Sequence, residues 1–138
     1  MGPWLDAYFT RIIINSLTRK EIDVKFIVRI DDDIIDKKTL SALNLAKQNL
    51  ENFHAKSLEN LHSKIIVIDH EIFFLGSANW YWYSLHESIE VVIEGDISDI
   101  PDLEIELDKY WKDGTVIPDE KISRYNDFEP VKNPFNPD

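Results

Sequence analysis

The run Ile65-Ile66-Val67-Ile68 is apolar on both sides of the alternation that a β-strand imposes. A strand with one wet face would alternate apolar and polar residues. An unbroken run predicts a sheet covered on both faces. Asp23 to Ile30 (DVKFIVRI) is a second β-branched run and reads as another strand. The covering layers are predicted as helices. From Trp4 to about Thr18, the residues Leu5, Tyr8, Phe9, Ile12, Ile13 and Leu17 recur at helical spacing. The expected class is α/β, a mixed β-sheet flanked by helices.

The remaining elements follow in order. Asp31-Asp32-Asp33 ends the first strand and reads as a solvated turn; a calcium loop would need alternating ligands and a glycine. Asp36 suits the N-cap of a helix running to about Phe53, with Leu40, Leu43, Ala46, Lys47 and Leu50 on one face. Ser63–Asp69 and Ile72–Leu75 are separated by His70 and Glu71, which predicts a hairpin with unusual turn residues. Ser84 to His86 reads as a turn or short helix, and Ser88 to Glu94 as a strand. Pro101 to Asp113 reads as a last helix packing through Leu103, Leu107, Tyr110 and Trp111. Residues 1–113 then form the domain. Residues 114–138, polar, acidic and carrying Pro118, Pro130, Pro134 and Pro137, read as an extended tail.

The 138 residues suffice for one domain with a real core. No cysteine is present, which excludes disulfides, thiolate metal sites and a cysteine nucleophile. No apolar run approaches the ~20 residues of a membrane span, and no signal peptide is recognisable, so a cytoplasmic location is expected. The net charge of −11 argues against a nucleic-acid partner, but it is unevenly spread. Residues 1–93 carry a balance of −3 and residues 94–138 one of −8, so the acidity lies mostly downstream of the chemistry-bearing stretch.

That stretch is Leu61 to Gly95. It holds His62-x-Lys64, four residues, Asp69, then Gly76-Ser77-Ala78-Asn79, and further on Glu90. In an extended chain His62 and Lys64 share a face, and Ser77 and Asn79 do likewise. Glu90 is expected within the next strand, on the parity opposite Ile89 and Val91. An imidazole, an ammonium, and amide and hydroxyl donors suit phosphoryl transfer: the imidazole attacks phosphorus and the donors hold the anionic oxygens. A carboxylate on the second ring nitrogen would fix the tautomer. Asp69 has the parity opposite to His62 and is expected off the reactive face.

This stretch resembles the signature of the phospholipase D superfamily, HxKxxxxD followed by GSxN, through His62, Lys64, Asp69, Gly76, Ser77 and Asn79 without substitution. Glu90 stands where the family has a glutamate that orients the histidine. His54-Ala55-Lys56 is also HxK, but Leu61 occupies the position of the aspartate, so His54 is a decoy. The resemblance covers roughly Trp4 to Asp113 and implies a phospholipase D-like fold. The family's first β-strand has no counterpart ahead of Trp4: either the chain is part of a longer protein or that strand comes from elsewhere.

The resemblance further implies a metal-independent phosphodiesterase with no cofactor. One His62 becomes phosphohistidine and a second protonates the leaving oxygen. A chain with one motif is then a homodimer sharing one active site. His62, Lys64, Ser77, Asn79, Glu90 and Asp69 are the candidate catalytic residues, Asp69 with a structural role foremost. Lys64, Ser77, Asn79 and Trp80 are candidate substrate contacts, although aromatic residues at Trp80 to Tyr83 equally suit packing or dimer contacts. Nucleic acid is the expected substrate, cleaved by an endonuclease-like activity. The alternatives are a phospholipid hydrolase or transferase and an inactive binding or dimerisation module.

Overall fold

The computed structural model describes residues 1–17, 21–123 and 129–131. Its elements run α1 (Ala7–Leu17), β1 (Asp23–Arg29), β2 (Ile34–Asp36), α2 (Lys37–Asn49), β3 (Asn52–Leu58), β4 (Ile65–Ile68), β5 (Ile72–Gly76), α3 (Trp82–His86), β6 (Val92–Asp96), α4 (Asp102–Asp113), β7 (Thr115–Val116), α5 (Asp119–Ser123) and β8 (Glu129–Val131). This is the mixed α/β architecture that the periodicities predict. The expected end of the first helix at Thr18 lies outside the described residues.

Three small sheets carry it, ordered β1-β3-β7, β2-β8 and β4-β5-β6. β1 and β3 are parallel, with Val28 opposite Ser57. They are joined through α2, the crossover that a parallel pair requires. β4, β5 and β6 form an antiparallel meander. The first and third sheets are spliced by the N-terminal residues. Gly2 N–H donates to the Ile27 carbonyl and Arg29 N–H to that of Pro3, while Ile65 N–H donates to the Met1 carbonyl. The Met1 ammonium donates back to the Ile65 carbonyl at 2.6 Å. Met1–Pro3 thus lies between the two sheets and hydrogen-bonds to both without being a strand itself.

Asp36 caps α2 as its sequence position predicts. Its carboxylate accepts from the Thr39 amide at 2.8 Å and the Thr39 hydroxyl at 3.0 Å. The Thr39 hydroxyl oxygen in turn accepts from Leu5 N–H, tying α2 to the start of the chain. Leu40 and Leu43 are fully buried on the face of α2 that meets Leu5, Val28 and Ile35. Each such side chain contributes about 2 kcal/mol of apolar burial.

Three expectations are corrected. The second helix ends at Asn49 and not at Phe53, because the chain from Asn52 pairs along the whole of β1 as β3. Residues beyond 113 are not simply an extended tail. Ile117 and Ile122 lie in the core, and Lys47 at the end of α2 donates to the Asp119 carbonyl and the Ser123 hydroxyl. Pro134 and Pro137 lie outside the described residues. Helix α4 forms where predicted, yet none of its residues is buried. It is held at its end by Lys56, which donates to the Trp111 carbonyl and lies 4.6 Å from the Trp111 ring centroid.

Candidate active site

Sheet register assembles the motif. In the β4–β5 hairpin Ile65 faces Leu75, so the next pair outward is Lys64 and Gly76, and Gly76 N–H reaches the Lys64 carbonyl. In β5–β6, Gly76 faces Val92, which carries Ser77 to Val91 and sets Glu90 beside it. His62-x-Lys64, Gly76-Ser77 and Glu90 therefore meet at one end of a single meander although up to 28 positions separate them in sequence. Gly76 permits this. A Cβ there would collide with the Val91 carbonyl oxygen and sit 2.7 Å from Val92 Cα.

The His62 ring is exposed at the mouth of this end. Lys64 is buried, and its Nζ lies 3.2 Å from His62 Nδ1 and donates to the His62 carbonyl at 2.6 Å. An ammonium has only donors, so Nδ1 accepts and the neutral ring carries its proton on Nε2. Trp4 packs edge-on against the imidazole, with centroids 5.8 Å apart. Burial pushes the Lys64 amine below its ordinary range, and the Glu90 carboxylate opposes that shift.

Glu90 precedes β6 and does not lie within it; the strand begins at Val92 because Ser88 to Val91 wraps around the carboxylate. Ser77 donates to it at 2.5 Å, Ser88 at 2.9 Å and Ser84 at 3.4 Å. The Ser77 hydrogen bond leads in holding this carboxyl below the usual range. Burial opposes it, and Ser88, Ser84 and the Lys64 charge assist. Glu90 makes no hydrogen bond to His62 among the described contacts, so the carboxylate–imidazole pairing read from sequence is not formed. Nδ1 is engaged by Lys64 instead. Ser84 and Ser88 were missed from the sequence. The only signal for them was a serine on each side of a turn close to Glu90.

Asn79 is buried. Its amide donates to the Tyr81 hydroxyl at 3.1 Å, while its side-chain oxygen has no partner. Two residues leave the candidate set. Asp69 sits in the hairpin turn at the opposite end of β4, with φ 55°, and Glu71 N–H closes that turn on the Ile68 carbonyl. Four to five strand residues separate it from Lys64, roughly 15 Å. Trp80 is 5% exposed, stacks on Phe9 at 5.6 Å and donates its indole N–H to the Met1 carbonyl, so it packs the core and offers no face to a substrate. The decoy is resolved as well. His54 is exposed in β3 beside Asp23, and Lys56 turns to Trp111. Among the described residues no three His, Asp or Glu side chains converge as a metal site.

Comparison with known proteins bears on the family and the fold. The family model described as "Cardiolipin synthase, PLD-like domain" matches residues 4–111. The fold is similar to that of Nuc from Salmonella typhimurium, a phospholipase D family member, with TM-score 0.69, 15% identity and coverage of 84% of this chain and 77% of that one. It is similar also to NucT from Helicobacter pylori, with TM-score 0.69, 21% identity and coverage of 85% and 79%. No curated protein matches the sequence.

Proposed function

The chain belongs to the phospholipase D-like domain family, and on that premise we propose that it is a phosphodiesterase, with nucleic acid as its substrate, that uses His62 as nucleophile in a homodimeric site. The observation that carries this reading is the placement of an exposed imidazole 3.2 Å from a buried ammonium, beside a serine-held carboxylate, at one end of a sheet.

In the free protein Lys64 occupies His62 Nδ1. An anionic phosphate oxygen competes for that ammonium and draws it off the ring. Nδ1 then takes up a proton and donates it to a carboxylate, for which Glu90 is the nearest candidate, while Nε2 gives its proton to solvent water, which leaves the Nε2 lone pair free to attack. Nε2 forms a bond to phosphorus as the ester P–O bond breaks, and the leaving oxygen takes a proton from the second imidazole. Water then attacks the phosphohistidine, giving its proton to that second imidazole and restoring the free ring. Lys64 holds the developing negative charge without a metal.

These 138 residues carry one such histidine, and in this reading a second copy supplies the acid. An exposed apolar strip flanks Glu90: Ile89 is fully exposed, and Val91, Val92 and Ile93 are exposed with it. A strip of that kind beside an incomplete site supports pairing there. A lipid substrate is the second reading. It is favoured by exposed Trp82, Tyr83 and Leu85 on α3, next to the Glu90-binding Ser84, and by the name of the matching family model. No described helix is long and apolar enough to cross a membrane.

The test is turnover in EDTA of a chromogenic phosphodiester, single- and double-stranded DNA, RNA and phosphatidylcholine, with His62→Ala as control. Nucleic-acid cleavage lost in the variant supports the first reading, and lipid cleavage alone supports the second. Turnover that survives in His62→Ala, or absence of any turnover from a folded dimer, overturns both.

A further inference from the structure

Four aromatic residues follow Asn79 in a row, and the fold divides them. Trp80 and Tyr81 are buried, whereas Trp82 and Tyr83 are 43% and 40% exposed. Trp82 opens α3, and His86 lies one turn further along the same face. The two rings are stacked, with centroids 5.2 Å apart and planes inclined by 28°. Tyr8 of α1 meets His86 edge-on at 5.3 Å, and its hydroxyl lies 2.9 Å from His86 Nε2. Tyr8 and His86 are exposed as well. The polar atoms of these two side chains engage each other. What the cluster turns to solvent is ring face, above all the face of Trp82 away from His86.

The cluster is held firmly and close to the candidate active site. Leu5 and Trp80 form a parallel bridge, so Trp4-Leu5-Asp6 runs alongside Asn79-Trp80-Tyr81. At one end of this double track Trp4 packs against the His62 ring. At the other end the Asp6 carboxylate accepts from the Phe9 amide at 3.0 Å and from the Trp82 amide at 2.9 Å. It thereby ties the first turn of α1 to that of α3. Trp4 and Asp6 are two residues apart, roughly 7 Å in extended chain. On its buried side α3 carries Ser84, which donates to Glu90. One short helix therefore has one face in the site and a stacked aromatic face beside it.

We propose that the Trp82–His86 stack is a platform for an unpaired nucleobase that flanks the scissile phosphate, which makes Trp82 specificity-determining for single strands. The proposal rests on the reading of this site as a nucleic-acid phosphodiesterase. A flat base extends a stack of rings as its next layer, and any of the bases can do so. A base inside a duplex has its faces covered by its neighbours, so the ligand must be unpaired. Arg11 stands three positions after Tyr8 on the same side of α1 and is exposed, which places a cation within reach of the strand's phosphates. Glu87 lies with Tyr83 on the neighbouring face of α3, off the stack. Trp82 thus takes the substrate-contact role expected of Trp80, whose ring is in the core.

The test uses the full chain carrying His62→Ala, so that bound strands stay uncut. Fluorescence anisotropy compares a labelled oligothymidylate with the same strand built from abasic residues. The base-bearing strand is expected to bind about tenfold tighter or more. Adding Trp82→Ala should bring that ratio to about one by weakening the base-bearing strand alone, and Trp82→Phe, which keeps a ring, should restore most of it. Four results would each overturn the proposal: a ratio near one with Trp82 in place, binding of neither strand, an equal loss on both strands in Trp82→Ala, or Trp82-dependent binding to phosphatidylcholine–phosphatidylglycerol vesicles without any base dependence. Turnover of a chromogenic phosphodiester by the unaltered chain separates the two readings. Turnover with a ratio near one removes the platform and leaves the phosphodiesterase, whereas a base-dependent ratio without turnover does the reverse.

Discussion

The Ser77 hydroxyl donates to the Glu90 carboxylate at 2.5 Å, and the peptide N–H beyond that carboxylate, Val91, donates back to the Ser77 oxygen at 3.1 Å. One small side chain thus links two strand ends and fixes a carboxylate beside the Lys64 ammonium. The pairing exists because Gly76 lets β5 and β6 approach closely one position earlier.

Replacing Ser77 by Ala removes the leading cause of the lowered Glu90 pKa. In the native protein this depressed carboxyl stabilises the fold above the ordinary glutamate range, and the contribution is lost as pH falls through its folded value. In Ser77→Ala the carboxyl moves back up. The acid limb of the activity profile should then shift to higher pH, read from kcat/KM against pH. An unmoved limb would show that Glu90 is not the group being titrated.

His62→Ala is expected to lower turnover by about 10³-fold or more. It should leave the unfolding midpoint nearly untouched, since the ring is exposed and surface changes stay within about 0.5 kcal/mol. Matched steady-state kinetics and thermal melts check both halves.

Gly76→Ala forces a methyl group into the Val91 carbonyl. Backbone must shift, at a cost of about 1–3 kcal/mol, and the Ser77–Glu90 contact should open with it. Chemical denaturation would show the loss of stability, and activity should fall although no catalytic group is altered.

Burial pushes the Met1 α-amino group down to about 5 from an ordinary 8.0. The unfolded chain therefore binds the extra proton across that window. Stability should be full above pH 8.0 and fall towards pH 5, with a slope approaching about 1.4 kcal/mol per pH unit. Comparing denaturation curves of the native chain and one with an acetylated N-terminus isolates the term. The slope should flatten in the acetylated protein.

Ile122→Ala should cost about 2–5 kcal/mol, as expected for a fully buried aliphatic side chain. A chain cut after Asp113 should lose more, because Ile117 goes with it. Equal melting temperatures for the cut and whole chains would contradict the packing of α5 on α2.

Much of this was legible in the sequence because it depends on local periodicity or on fixed spacing. The Asp36 cap, the β4–β5 hairpin and the adjacency of Lys64 to Gly76-Ser77 follow from alternation and register. β3 was not legible. Asn52, His54 and Lys56 alternate with Phe53 and Ala55 as in a strand, but Phe53 also continues the helical spacing of α2 past Leu50, and the pairing with β1 decides between the two. The parity of Asp69 already set it off the reactive face, and packing was one reading of Trp80; what the sequence does not give is the distance of Asp69 at the far end of β4 and the identity of Phe9 and Met1 as the partners of Trp80. That Lys64 lies at His62 Nδ1 in the free protein was not legible for a related reason. Spacing places Glu90 near the site, but it does not tell which of two neighbours a long lysine side chain will reach first.

The splice formed by Met1–Pro3 has a mechanical consequence. Two half-sheets with separate hydrogen-bond ladders are coupled through a few peptide groups at Ile27, Arg29 and Ile65. Cooperative melting of the whole domain therefore depends on that seam together with the core packing of Leu5, Phe9 and Trp80 beside it. A chain lacking these residues should lose its single sharp calorimetric peak and show two broader ones, the β1-side layer and the β4–β6 meander coming apart as separate units.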